Sequence, residues 1–246
     1  MAPGTEAADR FRGLSLVMPA FNEAQTIALA IREADHALRA LGTDHEVIVV
    51  DDGSSDATGA EVCKAMTLYP AVRMVKHARN LGYGAALRSG FTNARFPLVA
   101  VCDADCQFDL AQLNRMLPLS AEADIVCGYR VGRQDPAYRR FLSWGYNRLI
   151  GWLLGSAVRD CDCALKVFRR DALLRVLPEA DNFFANAEIL WRARRNGLML
   201  VEIGVLHRPR ASGRSKVSIW DVPRTLATLL PFWWSRHRHG LAGGGR

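Results

Sequence analysis

The absences narrow the reading first. No run of about 18 uncharged apolar residues occurs, which is the length a membrane-crossing helix needs. The mean hydropathy of −0.01 is too low for a polytopic membrane protein. Residues 1–13 hold Glu6, Asp9, Arg10 and Arg12 with no apolar run, so no secretory leader is expected there. Cysteine is sparse: Cys63, Cys102, Cys106, Cys127, Cys161 and Cys163. Their C-x3-C and C-x-C spacings differ from the C-x2-C pairs of common zinc sites, so reduced, buried thiols that pack as small apolar residues are expected. Long Ser/Pro-rich linkers and internal repeats are also missing.

The chain has 246 residues, half of them hydrophobic and 23% charged, which is ample for a core and excludes disorder as the main state. The formal charge of +7 is unevenly placed. Residues 205–246 hold eight Lys and Arg against the single acid Asp221, so this tail carries the whole excess and the first 204 residues are neutral. A basic tail on a neutral body points to an anionic partner or, more simply, to a solvated tail.

Strand-like and helix-like patterns alternate through the first half. Apolar runs at 14–18, 46–50, 72–75, 98–102 and 125–127 read as strands. Helical spacing marks 24–41, where Ile27, Ile31, Ala34 and Leu38 recur on one side, then 56–68, 83–94 and 109–117. This alternation predicts an α/β fold with a mostly parallel sheet flanked by helices, a single domain with a helical C-terminal portion. The second half predicts an apolar, aromatic helix from Phe141 to Val158, short helices at 171–177 and 184–196, and a strand at 200–203. In parallel sheets ligands sit beyond the carboxyl ends of the strands. Here those ends carry Pro19–Glu23, Asp51–Asp56, His77–Gly82 and Asp103–Gln107, which predicts one polar crevice.

Each segment has a plain reading and a chemical one. Asp103-Ala104-Asp105 is an extended D-x-D, with both carboxylates on one side. Alone it is a common surface turn. At a strand end beside three other polar strand ends it suits Mg²⁺ or Mn²⁺, hard cations that relieve carboxylate repulsion, with Gln107 adding a neutral oxygen. Asp51-Asp52-Gly53-Ser54-Ser55-Asp56 serves as a turn and helix cap, yet a cap does not need both Asp51 and Asp52, which can accept from a base or a ribose hydroxyl. It matches neither a dinucleotide nor a P-loop fingerprint. Arg79-Asn80-Leu81-Gly82-Tyr83-Gly84 opens a helix where glycines let backbone N–H groups approach an anion.

Together, Pro19-Ala20-Phe21-Asn22-Glu23, DDGSSD, R-N-x-G-x-G-x-A and DADxQ resemble the inverting family 2 glycosyltransferases of GT-A fold. Within them the chain is most similar to the dolichyl-phosphate mannose synthase and polyprenyl-phosphate glycosyltransferase branch. Residues 160–170 resemble that branch's D-x-x-S-G-F-[KR] region, Asn186-Ala187-Glu188 its acidic helix, and residues 210–216 its R-x-x-G-x-S-K loop. Cys163 and Ala164 stand where the branch has Ser-Gly, and Phe108-Asp109 where it has His-Pro. The transmembrane helices that follow in some relatives are not found here.

The resemblance implies roles by position. Pro19, Phe21, Glu23, Asp51, Asp52, Arg79 and Gly82 would hold the nucleotide, with Asp103 beside them. Asp103, Asp105 and Gln107 would hold Mg²⁺ or Mn²⁺, and Arg214 and Lys216 would close over phosphates. Asp160, Asp162 and Glu188 are candidate bases if the acceptor is a hydroxyl. Arg130, Arg133, Arg139 and Arg140 are candidates for an acceptor phosphate, or an exposed basic turn. The implied reaction moves a hexose, mannose or glucose, from GDP-mannose or UDP-glucose to a polyprenyl phosphate. The expected layout is a flexible 1–12, a catalytic domain over 13–216 divided into a nucleotide half (13–128) and an acceptor half (129–216), and a basic, aromatic segment over 217–246. The 141–158 helix and Trp233-Trp234 beside Arg236 and Arg238 predict peripheral attachment to an anionic membrane surface on the cytoplasmic side. A nucleic-acid partner is not expected, because it explains the basic tail but not the acidic crevice.

Overall fold

The structure is a computed structural model that describes residues 13–132 and 158–209, with Trp144, Gly145, Arg148, Ile150 and Gly151. Seven strands form one sheet in the order β3-β2-β1-β4-β6-β5-β7. β1 (Leu14–Ala20) pairs in parallel with β2 (His45–Asp51) and β4 (Leu98–Val101), and β2 with β3 (Val72–Lys76). β5 (Ile125–Val131) is parallel to β7 (Leu200–Leu206). β6 (Lys166–Arg169) runs antiparallel to both β4 and β5 and joins the two halves.

β1 is buried along all seven residues, as a strand covered on both faces must be. Its alternate side chains feed two cores. Leu14, Leu16 and Met18 pack with α1 (Ile27–Ala40) and α2 (Thr58–Leu68), whereas Val17 packs with α3 (Tyr83–Asn93) and α6 (Ala185–Arg195). The helical spacing of Ile27, Ile31, Ala34 and Leu38 matches their complete burial.

The predicted α/β class and parallel sheet hold, and most boundaries fall within a few residues. Three differences follow, the first two with a physical cause. The expected 109–117 helix is a 3-10 turn (Leu110–Gln112), one α turn α4 (Leu113–Met116) and a second 3-10 turn (Leu117–Ala121), because Pro118 cannot donate to a continuing helix. The strand read over 125–127 extends to Val131, since β7 pairs with it throughout. The 171–177 helix shortens to α5 (Arg170–Leu174). The five buried thiols and exposed Cys63 are all unbridged, and burial pushes Cys127 and Cys163 up to about 12. Among the described residues no helix is long and apolar enough to cross a membrane.

Candidate active site

Because β1 to β4 run parallel, their carboxyl ends open on one edge of the sheet. The loops there are tied to one another. Asn22, at φ 53°, places its Oδ1 to accept from the Ser55 and Asp56 N–H groups at 2.8 and 3.3 Å. Its own N–H donates to Ser54 Oγ at 3.0 Å, and the Glu23 N–H donates to Thr58 Oγ1 at 2.8 Å. Ser54 thus caps the neighbouring loop, not its own helix; α2 has no side-chain N-cap bond. Pro19 is buried inside β1 opposite Val50, while Phe21 and Glu23, in the loop that follows, are half-buried.

The two acids at the end of β2, Asp51 closing the strand and Asp52 following it, are both buried. Asp51 Oδ1 accepts from the Ser54 N–H at 2.9 Å, and its Oδ2 lies 4.0 Å from Lys76 Nζ. Asp52 Oδ1 accepts from the Leu81 N–H at 2.9 Å and sits 2.7 Å from His77 Nδ1, and Oδ2 accepts from the Gly82 N–H at 2.9 Å. His77 Nε2 in turn meets Ser89 Oγ at 2.9 Å. Asp52 therefore holds the Arg79–Gly82 loop from inside. Gly53, at φ 68°, lies against the Arg79–Asn80 peptide, where a Cβ would collide with backbone. Arg79 is exposed above this turn. Gly82, at φ 103°, lies against the Asp181 carbonyl, so it is required by close packing of chain on chain as well as by its dihedral.

The D-x-D turn follows β4. Asp103 keeps part of its surface at the crevice, and Asp105 is buried, accepting from the Gln107 N–H at 3.1 Å. Gln107 Nε2 donates to the Arg208 carbonyl at 3.4 Å, while the Arg208 N–H donates to the Gln107 carbonyl at 2.8 Å. Tyr83 Oη donates to Asp103 Oδ1 at 3.3 Å. Burial first, then the Asp103 charge, hold the Tyr83 phenol well above its ordinary value of 10. Among the described residues no three His, Cys, Asp or Glu side chains converge on a metal position. The donor set on offer is two carboxylates and one amide, all hard oxygens, which fits Mg²⁺ or Mn²⁺ and not a thiolate-bound metal.

On the far side of the sheet junction, Asp160 grips Arg130 in a bidentate pair, with Nε to Oδ2 and Nη2 to Oδ1 both at 2.7 Å. The pairing raises the Arg130 pKa against its burial, so this guanidinium stays charged. Asp162 has no such pair among the described residues; its Oδ1 accepts from the Cys161 thiol at 3.6 Å. Burial first, then the Asp160 charge, push its carboxyl up to about 6. Lys166 is fully buried in β6 and donates its ammonium to the carbonyls of Cys161 and Cys163, shaping the 160–163 turn. Glu188 is equally buried; its Oε2 accepts from the Glu179 and Ala180 N–H groups at 3.0 and 2.8 Å, and Oε1 takes Arg192. It holds the segment against which Gly82 packs.

His77, Tyr83 and Lys166 had no role assigned from sequence. His77 and Tyr83 lie inside motifs already singled out, but their partners are 25 and 20 residues away, so no local spacing reveals them. Arg133, Arg139, Arg140, Arg214 and Lys216 lie outside the described residues, as do most of the 141–158 helix, residues 1–12 and the whole of 217–246. A separate cavity of about 270 Å³ opens at the opposite edge beside Leu14, Leu41 and Leu98, without a titratable lining residue to do chemistry.

The chain is similar to several known proteins. The chain is 32% identical over 225 residues to a dodecaprenyl-phosphate galacturonate synthase of Rhizobium johnstonii, covering 88% of this chain and 65% of that protein. It is 33% identical over 228 residues to an undecaprenyl-phosphate 4-deoxy-4-formamido-L-arabinose transferase of Klebsiella pneumoniae, covering 88% and 66%. The chain thus spans just under two thirds of these relatives' length. The fold superposes on glucosyl-3-phosphoglycerate synthase from Mycobacterium tuberculosis, solved with Mn²⁺, UDP and glucosyl-3-phosphoglycerate. The TM-score is 0.71 at 20% identity, over 96% of this chain and 85% of that one. This likeness establishes the GT-A architecture. The sequence profile described as Glycosyl transferase family 2 matches residues 15–177, and the chain belongs to that family.

Proposed function

We propose that this protein transfers a glycosyl group from a nucleoside-diphosphate sugar to a polyprenyl phosphate, with inversion and with Mg²⁺ or Mn²⁺. The observation that carries the reading is the D-x-D turn, with Asp103 part exposed and Asp105 buried behind it, at a sheet edge whose other loops are locked together by Asn22 and Asp52. The 65–66% span of the relatives leaves the whole reaction as a reading supported by likeness.

In this reading residues 13–128 take the nucleotide and 129–216 face the acceptor. Phe21, Glu23, Asp51 and Arg79 surround the base and ribose, with Pro19, Asp52 and Gly82 shaping the same walls. Asp103, Asp105 and Gln107 hold the cation, which when bound neutralises charge growing on the leaving diphosphate. Arg214 and Lys216 add donors over the phosphates. The acceptor phosphate oxygen forms a bond to the anomeric carbon while the bond from that carbon to the diphosphate oxygen breaks on the opposite face. A phosphate is ionised near neutral pH, so it needs no strong base. Arg130, already charged beside Asp160, lies with Arg133, Arg139 and Arg140 in the segment assigned to that phosphate.

The relatives' names carry a uronic acid and a formamido pentose. They widen the sugar beyond the mannose or glucose expected from sequence. The basic segment 217–246 is proposed to hold the enzyme peripherally on an anionic, cytoplasmic membrane face. A sugar-hydroxyl acceptor is the second reading, favoured by Asp162, whose pKa near 6 suits a general base.

The test is a donor–acceptor screen with Mn²⁺, using GDP-mannose, UDP-glucose and UDP-galacturonate, each with and without undecaprenyl phosphate. Lipid-dependent release of nucleoside diphosphate is expected for one donor. Release that depends on an added glycan instead, with the lipid inert, would replace this reading with the hydroxyl one.

A further inference from the structure

We propose that Tyr83 is a positioning residue that fixes the Asp103 carboxylate for its divalent cation, an inference that rests on the metal reading above. Tyr83 is held from every side. The N–H before it, Gly82, donates to Asp52 Oδ2 at 2.9 Å, and the N–H after it, Gly84, donates to the Asp181 carbonyl at 2.8 Å. Its ring stacks on Phe183, with centroids 4.9 Å apart and planes at 26°. Buried Asn186 hydrogen-bonds the phenol. With backbone and ring so constrained, the hydroxyl is held where it donates to Asp103 Oδ1 at 3.3 Å.

The stack alone would be satisfied by phenylalanine. The hydroxyl adds a buried polar group that needs a partner, and that partner is a carboxylate at the crevice. A donor on one oxygen of a metal-binding carboxylate restricts its rotamer and so the directions from which it can ligate, as outer partners of metal ligands do generally. The constellation also joins three segments: the helix start after Gly82, the D-x-D turn, and the 183–186 approach to α6. Closure of the nucleotide loop by Asp52 and orientation of Asp103 are thereby mechanically linked through two adjacent residues, Gly82 and Tyr83.

The experiment measures Mn²⁺ binding by electron paramagnetic resonance in the full chain with UDP or GDP present, beside metal-free nucleoside diphosphate binding and thermal unfolding. Tyr83→Phe is expected to weaken Mn²⁺ about tenfold, the lower end for loss of a ligand's outer partner. Metal-free nucleotide binding and Tm stay as in the unaltered protein. Phe183→Leu keeps the hydroxyl and loosens the ring, and is expected to weaken Mn²⁺ less. Unchanged Mn²⁺ affinity in Tyr83→Phe overturns the inference while leaving the metal reading intact. If that variant does not fold, unchanged affinity in Phe183→Leu overturns it in the same way. An unaltered protein that takes up no Mn²⁺ with either nucleotide overturns both.

Discussion

Asp51-Asp52 at the end of β2 and Asp103-Ala104-Asp105 after β4 flank the same central strand and open on the same crevice, and in sequence they look like equivalent pairs of acids. The fold uses them differently. Around Asp52 three donors converge, two backbone N–H groups and His77, so its charge is consumed in building the wall. Asp103 is half-buried at its strand end, where the Tyr83 phenol donates to it at 3.3 Å, and it keeps surface at the crevice. The same contrast recurs across the sheet, where Asp160 is locked to Arg130 and Asp162, two residues on, is left titrating near 6.

Four changes would break or sharpen that contrast. Asp103→Ala should have the largest effect, lowering kcat/KM by about 10²- to 10³-fold, the scale of removing one electrostatic stabiliser, with Tm nearly unchanged. Steady-state kinetics beside a melting curve checks it; a large loss of Tm with normal turnover would exchange the roles of the two pairs. Asp52→Ala should do the reverse first, leaving His77 Nδ1 and two N–H groups without their carboxylate partner and lowering stability by about 3 kcal/mol, as read by urea unfolding. Nucleotide affinity then falls because the loop it holds is released. Gly82→Ala places a Cβ against the Asp181 carbonyl at a strained dihedral, and about 2 kcal/mol of destabilisation is expected by the same assay.

The smallest effect is the pH dependence of Asp162. Its folded pKa of about 6 lies above the ordinary 3.8, so the folded state binds the proton more tightly than the unfolded one. Stability from this group is present below about pH 4 and is lost as pH rises through about 6. Asp162→Asn should remove that slope and raise stability at pH 7 by about 1 kcal/mol, after allowance for the partial exposure of the side chain. Parallel pH–stability curves for the two proteins would show that Asp162 does not titrate there.

Much of the fold was legible because its signals are local. Apolar β-branched runs ended at Asp, Gly or Pro, and Ile27, Ile31, Ala34 and Leu38 marked the buried side of α1. The 109–117 region was less legible, since Pro118 and short 3-10 turns leave a helix-like pattern without a helix. In the candidate site, the positions of the acids were readable and their duties were not. Ser54 looked like a cap of its own helix and instead accepts from the Asn22 N–H, 32 residues back, while Asp56 accepts from the Thr58 N–H at its own helix start and also from the Ala24 N–H.

The sequence by itself determined the βαβ order, the edge at which polar residues gather and the family, because hydrophobic period and turn chemistry act over a few residues. Only the tertiary structure decided which carboxylates are walled in and which face the crevice. Asp52 depends on the N–H groups of residues 81 and 82, Asp103 on Tyr83, and Gly82 on the segment that Glu188 holds. Those partners lie tens of residues apart, and burial, which sets the strength of each charge, exists only once the sheet has brought them together.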